Sequence, residues 1–218
     1  FTGTSLDCKR VIRIRWRVKD EAGLNSVREN QIFEIYDKEA PTLTGTWPSD
    51  DLTINDCIAN APTGPTEAQI KALFTDQCGN NVSVTKSGGP ASGNDCSWTV
   101  TYTYLVVDDC GNAVTPSPTV TYSGGDTGIT APTCPADVME VSLDDACGKT
   151  VTLTPPGAPS DNCSSTIVSR EIIDSDGNVI DSDDPATVLD FFFDIGVDTV
   201  RYYTTDVCGN VNSCSQII

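Results

Sequence analysis

The phrase Asp-x-Cys-Gly-Asn closes a predicted strand at Asp108-Asp109-Cys110-Gly111-Asn112 and again at Asp206-Val207-Cys208-Gly209-Asn210. A degenerate copy stands at Asp20-Glu21-Ala22-Gly23-Leu24-Asn25. An aromatic residue lies four positions before each aspartate: Trp16, Tyr104 and Tyr202. The intervals between the aspartates are 108 − 20 = 88 and 206 − 108 = 98 residues. A strand and turn recurring at the size of one small β domain is a repeat signature, which favours a chain of similar modules over a single-pocket enzyme.

The strands that feed these turns alternate. Ile12, Ile14, Trp16 and Val18 share one face of the first, while Arg13, Arg15, Arg17 and Lys19 share the other. Val100, Tyr102, Tyr104 and Val106 are in phase in the second, and Val200, Tyr202 and Thr204 in the third. Period-two patterning marks half-buried strands. A second strand follows each turn, around 30–36, 117–122 and 211–217, so each unit reads as a hairpin. Ala40-Pro41-Thr42 follows the first hairpin and Ala131-Pro132-Thr133 the second. The chain therefore parses into 1–38, the tail of an incomplete module; 39–128, a second module; and 129–218, a third, joined by short linkers.

Strands are expected in the third module at 137–143, 149–154, 165–173, 177–180, 187–193, 198–205 and 211–217. About seven short strands punctuated by turns predict an all-β chain of tandem immunoglobulin- or fibronectin-III-like β-sandwich modules, arranged as beads on a string. One helical turn is expected near Thr66–Leu73, where Pro65 and Thr66 supply start signals.

Ten cysteines and no histidine among 218 residues narrow the chemistry. There is no Cys-x-x-Cys pair, so disulfides formed in an oxidising compartment are favoured over zinc. Histidine-dependent nucleophilic dyads are excluded, and the chain is read as non-enzymatic. The net charge of −18 disfavours nucleic acid as a partner. No apolar run has membrane-spanning length, and Phe191-Phe192-Phe193 reads as a buried strand.

The run from Cys8 through Ile12-Arg13-Ile14-Arg15-Trp16-Arg17-Val18-Lys19-Asp20, the Asp-x-Cys-Gly-Asn turns and the Ala-Pro-Thr module starts resemble hyalin-repeat (HYR)-like modules. More narrowly, they are similar to the four-cysteine HYR-like repeats of giant surface proteins of gliding, Bacteroidetes-type bacteria. The third module, with Cys134-Pro135, Asp161-Asn162-Cys163 and Cys214, is closer to the ordinary hyalin repeat. The resemblance spans essentially the whole chain. It implies an immunoglobulin-like adhesion module in a long exported chain, at the cell surface or outside the cell. Two departures stand out: Ala22 replaces the turn cysteine of the first hairpin, and the third module lacks a counterpart of Cys96.

A sandwich constrains the disulfides. The strand between Cys96 and Cys110 is roughly 30 Å long at 3.3 Å per residue, so these two cannot bond. The expected pairs are Cys78–Cys110 and Cys57–Cys96, at opposite ends of the second module. By analogy Cys163 pairs with Cys208, and Cys134 with Cys214. Cys8 and Cys147 remain unmatched, with Cys147–Cys163 as the rival arrangement; the partner of Cys8 is expected upstream.

Several candidate sites have simpler structural alternatives. The turn aspartates read first as backbone caps and only second as ligands. Asp174-Ser175-Asp176-Gly177-Asn178 resembles half an EF-hand loop, yet Pro185 stands where the loop needs its last glutamate. Calcium is the one cofactor considered, with Asp174, Asp176, Asp181 and Asp183 as candidate ligands and Asp144, Asp145, Asp184 and Asp194 nearby. Residues 1–38 hold eight basic and six acidic residues, a net of +2; the remainder holds five and 25, a net of −20. Arg13, Arg15, Arg17 and Lys19 could thus bind an acidic polysaccharide, a surface protein or a neighbouring module. The alternative is a solvated face. Asn81-Val82-Ser83 and Asn162-Cys163-Ser164 fit the N-glycosylation pattern, and Asp198-Thr199-Val200 resembles a bacterial O-glycosylation signal.

Two functions follow as expectations. The first is a disulfide-stiffened stalk segment of a large surface adhesin, of the kind carried by gliding cells. The second is a carbohydrate-binding or calcium-dependent accessory module of a secreted protein.

Overall fold

The computed structural model describes residues 8–79, 81–138, 147–163, 166–183 and 188–218. The chain is all-β. Its strands are β1 (Lys9–Trp16), β2 (Glu29–Tyr36), β3 (Thr42–Leu43), β4 (Asp51–Ile54), β5 (Phe74–Thr75), β6 (Val82–Gly88), β7 (Ser92–Asn94), β8 (Ser97–Asp108), β9 (Thr119–Gly124), β10 (Gly148–Leu153), β11 (Thr166–Ile173), β12 (Val179–Asp183), β13 (Leu189–Asp194), β14 (Thr199–Asp206) and β15 (Val211–Ile217). One short helix, α1 (Glu67–Lys71), lies where the Pro-Thr signal places it. Thr66 accepts from the Gln69 N–H, and the Gln69 side chain accepts from the Thr66 N–H, a reciprocal capping box.

Contacts divide the chain into two compact units. The first takes the chain up to Asp50, Thr63–Pro90 and Thr101–Thr121; the second takes Asp51–Pro62, Ala91–Val100 and Tyr122–Ile218. Strands β8 and β9 contribute residues to both.

In the first unit β1 and β2 form an antiparallel ribbon, with Lys9 opposite Tyr36 and Trp16 opposite Glu29. Both of its faces are exposed; even Ile12 and Phe33, directly opposite one another, are 39% and 42% accessible. Among the described residues, the buried apolar core of this unit is built instead from Ile70, Phe74, Val82, Tyr104, Val106 and Val120. Trp47 meets the rings of Phe74 and Tyr104 edge-on, at 6.3 and 5.8 Å between centroids. The Tyr104 hydroxyl donates to the Pro65 carbonyl at 2.8 Å, which lets a polar group lie in this apolar setting. The alternation expected of β8 holds: Trp98, Val100, Tyr104 and Val106 are buried and Tyr102 half-buried.

In the second unit β12-β11-β14-β15 make a four-stranded antiparallel sheet and β10-β13 a two-stranded one. Val151 and Leu153 from β10, Phe193 from β13, Ile172 from β11, and Val200 and Tyr202 from β14 close into one apolar cluster. The Phe-Phe-Phe run is β13, with Phe193 buried and Phe192 turned outward, as alternation demands. The strands expected from 149 onward are found within a few residues of their predicted limits, whereas most of the expected strand 137–143 lies outside the described residues.

Candidate functional site

The repeated phrase folds into one five-residue turn, seen from first to last residue at four places among the described residues; Asp76-Gln77-Cys78-Gly79 begins a further copy, with the Cys78 N–H donating to the Asp76 carboxylate at 2.8 Å and the Gly79 N–H to the Asp76 carbonyl at 3.3 Å. In Asp108–Asn112 the Asp108 N–H donates to the Asn112 carbonyl and the Gly111 N–H to the Asp108 carbonyl, both at 3.2 Å. The Asp108 carboxylate accepts from the N–H groups of Cys110 and Asn112 and from the Asn112 side chain, each at 2.8 Å. Asp206–Asn210 and Asp174–Asn178 repeat the pattern, and Asp20–Leu24 keeps the backbone bonds and the Leu24 N–H cap without a side-chain amide. The fourth position has φ between +79° and +88° (Gly23, Gly79, Gly111, Gly177 and Gly209), which is why glycine stands there. Asp174-Ser175-Asp176-Gly177-Asn178 is thus another copy of this turn, and its resemblance to a calcium loop comes from the shared Asp and Gly.

Four disulfides are present: Cys8–Cys110, Cys57–Cys163, Cys96–Cys208 and Cys134–Cys214. The last is the expected one. The structure replaces Cys78–Cys110, Cys57–Cys96 and Cys163–Cys208 with pairs whose members are 102, 106 and 112 residues apart. Cys78 and Cys147 are exposed thiols, so the rival Cys147–Cys163 is also absent. Each strand-start cysteine (Cys8, Cys96) bonds the turn cysteine of the following repeat. All three replacement bridges cross the expected limits at 38/39 or 128/129.

The residue that leaves each hairpin explains this pairing. Asp37 donates its N–H to the Cys8 carbonyl at 3.0 Å, and its carboxylate lies within 4.8 Å of both an Asp108 oxygen and the Cys110 sulfur. Asp126 donates its N–H to the Asp95 carbonyl at 2.7 Å, and its carboxylate lies within 4.8 Å of both an Asp206 oxygen and the Cys208 sulfur. The exit of one hairpin is thereby set against the turn of the next, bringing Cys8 to Cys110 and Cys96 to Cys208. Asp37 caps the N–H of Glu39, and Asp126 that of Gly128, at 3.1 and 3.2 Å.

These acidic groups differ in their electrostatics. Burial pushes the Asp108 carboxyl up, but hydrogen bonds from Asn112, Cys110 and Gly111 outweigh it and hold the group below the usual range. Asp206 follows the same balance, with Asn210 and Cys208 as donors. Asp126 goes the other way. Burial raises its carboxyl, the Gly128 N–H partly opposes this, and the charges of Asp161 and Asp206 push it further up. Sequence reading took the turn aspartates as caps and missed Asp37, Asp76, Asp126 and Asp161. The available signal was a further full Asp-x-Cys-Gly-Asn phrase at Asp76-Gln77-Cys78-Gly79-Asn80 and its truncated form Asp161-Asn162-Cys163, together with an aspartate shortly before each Ala-Pro-Thr start.

Among the described residues, the expected calcium ligands Asp174, Asp176 and Asp181 join no close group of three ligand side chains, with ligand atoms within 4.8 Å. Asp174 is engaged by its own turn, and the Asn178 N–H and side chain lower its pKa. Asp183 ends β12 opposite Arg170 in register, and Asp194 ends β13. Asp144, Asp145 and Asp184 lie outside the described residues.

Arg13 and Arg15 lie on the exposed ribbon, with Arg17 and Lys19 exposed beyond the end of β1. On the same face Lys9 pairs with Glu34 at 2.7 Å. The hydrogen bond between them raises the lysine pKa and lowers the glutamate one, though such an exposed pair adds little stability. Asn81 is exposed and accepts from Lys71 Nζ at 3.1 Å. Thr199 is half-buried at the start of β14, beside the buried Asp198. Open grooves among the described residues of the second unit include one lined by Ile54 and Trp98 and another lined by Asn55, Thr130, Ser160 and Asp161. Among the described residues no helix is long and apolar enough to cross a membrane. Comparison with models of known protein families and with curated proteins finds no match.

Proposed function

We propose that this chain is a non-catalytic segment of an extracellular adhesive stalk, built from tandem HYR-like β-sandwich modules and covalently stiffened from one module to the next. The observation that carries this reading is the overlap of the disulfide loops. Cys8–Cys110, Cys57–Cys163 and Cys96–Cys208 each begin before the previous loop has closed. The shortest covalent route from Cys8 to Cys214 crosses to Cys110, runs back to Cys96, crosses to Cys208 and continues to Cys214. That is roughly 20 residues, or about 80 Å fully extended including the two bridges, against about 700 Å for the linear chain. Tension on the ends therefore meets covalent bonds before the sheets can unravel far. Four bridges also fit an oxidising compartment, which for a chain of this charge points outside the cell.

Force spectroscopy on the intact chain, held by its two ends, tests the proposal. The oxidised molecule should release no more than several tens of ångströms before detachment, and the reduced one several hundred. An oxidised chain that lengthens by several hundred ångströms would refute the tension-bearing role. Antibody labelling of intact source cells should find the segment outside; labelling only after permeabilisation would refute the location.

A further inference from the structure

We propose that Asp126 and Asp206, with the charge of Asp161 nearby, form a binding site for a hard divalent cation of the calcium class. Asp126 is only 3% accessible. One of its oxygens accepts from the Gly128 N–H; the other, Oδ2, is enclosed and has no hydrogen-bond partner. A buried carboxylate oxygen left without a donor is an unfavourable arrangement unless something positive comes to it. The Asp126 carboxylate has negative neighbours: one of its oxygens lies within 4.8 Å of an Asp206 carboxylate oxygen, and the charges of Asp161 and Asp206 both act on it.

The donors around Asp126 Oδ2 are preorganised. Asp206 is fixed by the Asn210 N–H at 2.9 Å and the Asn210 side chain at 2.7 Å, which leaves further lone pairs on both oxygens. The same Asn210 amide donates to the Asp126 carbonyl at 3.1 Å, fastening the turn to the segment that carries Asp126. A cation here would be held by carboxylate oxygens and completed by water. Calcium tolerates six to eight oxygens in irregular geometry, whereas magnesium demands a near-ideal octahedron. Zinc does not suit the site: the nearby Cys208 sulfur is in a disulfide, and the chain has no histidine.

The arrangement recurs. Asp37, Asp76 and Asp108 occupy the corresponding positions around the Cys110 turn, with Asp37 within 4.8 Å of Asp108 and also of Asp76. This copy is more open, since Asp37 is half-buried, and its affinity should be lower.

The test uses the full oxidised chain stripped of metal. Calorimetric titration with calcium chloride should show at least one equivalent bound, and D126N should bind one equivalent fewer. Calcium should raise the melting temperature of the wild type, magnesium at equal ionic strength should raise it less, and the rise should shrink in D126N. Should D126N fail to fold, D161N removes the neighbouring negative charge, leaves the Asp206 turn untouched, and should bind calcium several-fold more weakly. Absence of both calcium heat and a melting shift at millimolar calcium would overturn the site. So would calcium binding unchanged in stoichiometry and affinity in both variants. A third overturning result is proton uptake by the wild type at neutral pH without calcium binding, because a proton shared between Asp126 and Asp206 would then satisfy Oδ2.

Discussion

Removing the Cys96–Cys208 bridge by the double substitution C96S/C208S measures how the loops act together. Taken alone, a loop closed over a sequence separation of 112 residues would contribute about 4.8 kcal/mol in the chain-entropy model. The neighbouring Cys134–Cys214 bridge shortens it. With that bridge intact, the closed path runs from Cys96 to Cys134 and returns from Cys214 to Cys208, roughly 44 residues, which lowers the expectation to about 4 kcal/mol. Both cysteines lie in the second unit, so the loss should fall on the unfolding transition of that unit. Guanidinium unfolding followed by the fluorescence of Trp98, which is buried there, should show a midpoint lowered by about 1 M for a chain segment of this size. Peptide mapping under non-reducing conditions should recover the other three bridges unchanged. A loss below about 1 kcal/mol with those bridges intact would refute the loop-closure reasoning. Recovery of Cys57–Cys96 from the wild type would refute the pairing itself.

Three further outcomes follow. Gly209→Ala should lower stability by about 1 kcal/mol in the same unfolding assay, because a Cβ there has open space and meets only the penalty of a positive φ. Asp206 has its pKa lowered in the folded state, so the unfolded chain binds its proton more tightly. Its contribution is complete above the ordinary aspartate value of about 3.9 and drains as pH falls through the lower folded value. Unfolding at pH 7 and pH 3 should therefore show the wild type losing more stability than D206N; equal losses would contradict the hydrogen-bonded turn. Thiol titration of the native protein should find two reactive groups, Cys78 and Cys147. Cys78 should alkylate slowly at neutral pH, because burial first and the Asp37 charge second raise its pKa.

Local features were legible in the sequence because they are written in short-range patterns. The alternation in β8 and β14, the cap at Thr66 and the glycine of each turn are set by residues a few positions apart. Strand length excluded a Cys96–Cys110 bond, and the structure places Cys57 with Cys96 in one unit and Cys78 with Cys110 in the other. The end of the strand at which each cysteine sits was therefore readable. Its partner was not, because that choice depends on Asp37 and Asp126 turning each hairpin exit toward the next repeat. Those contacts join residues 71 and 80 positions apart (108 − 37 and 206 − 126), and no local pattern encodes them. Cys134–Cys214 was legible because Cys214 lies on β15, the last strand of the same sheet system that contains its partner's apolar cluster.

The staggered bridges also bear on proteolysis. Every peptide bond between Cys8 and Cys214 is enclosed by at least one loop. A protease that cuts once anywhere in that stretch yields a nicked molecule whose two pieces migrate together until a reductant is added. In a habitat rich in secreted peptidases, the segment would survive isolated cleavage as one covalent body.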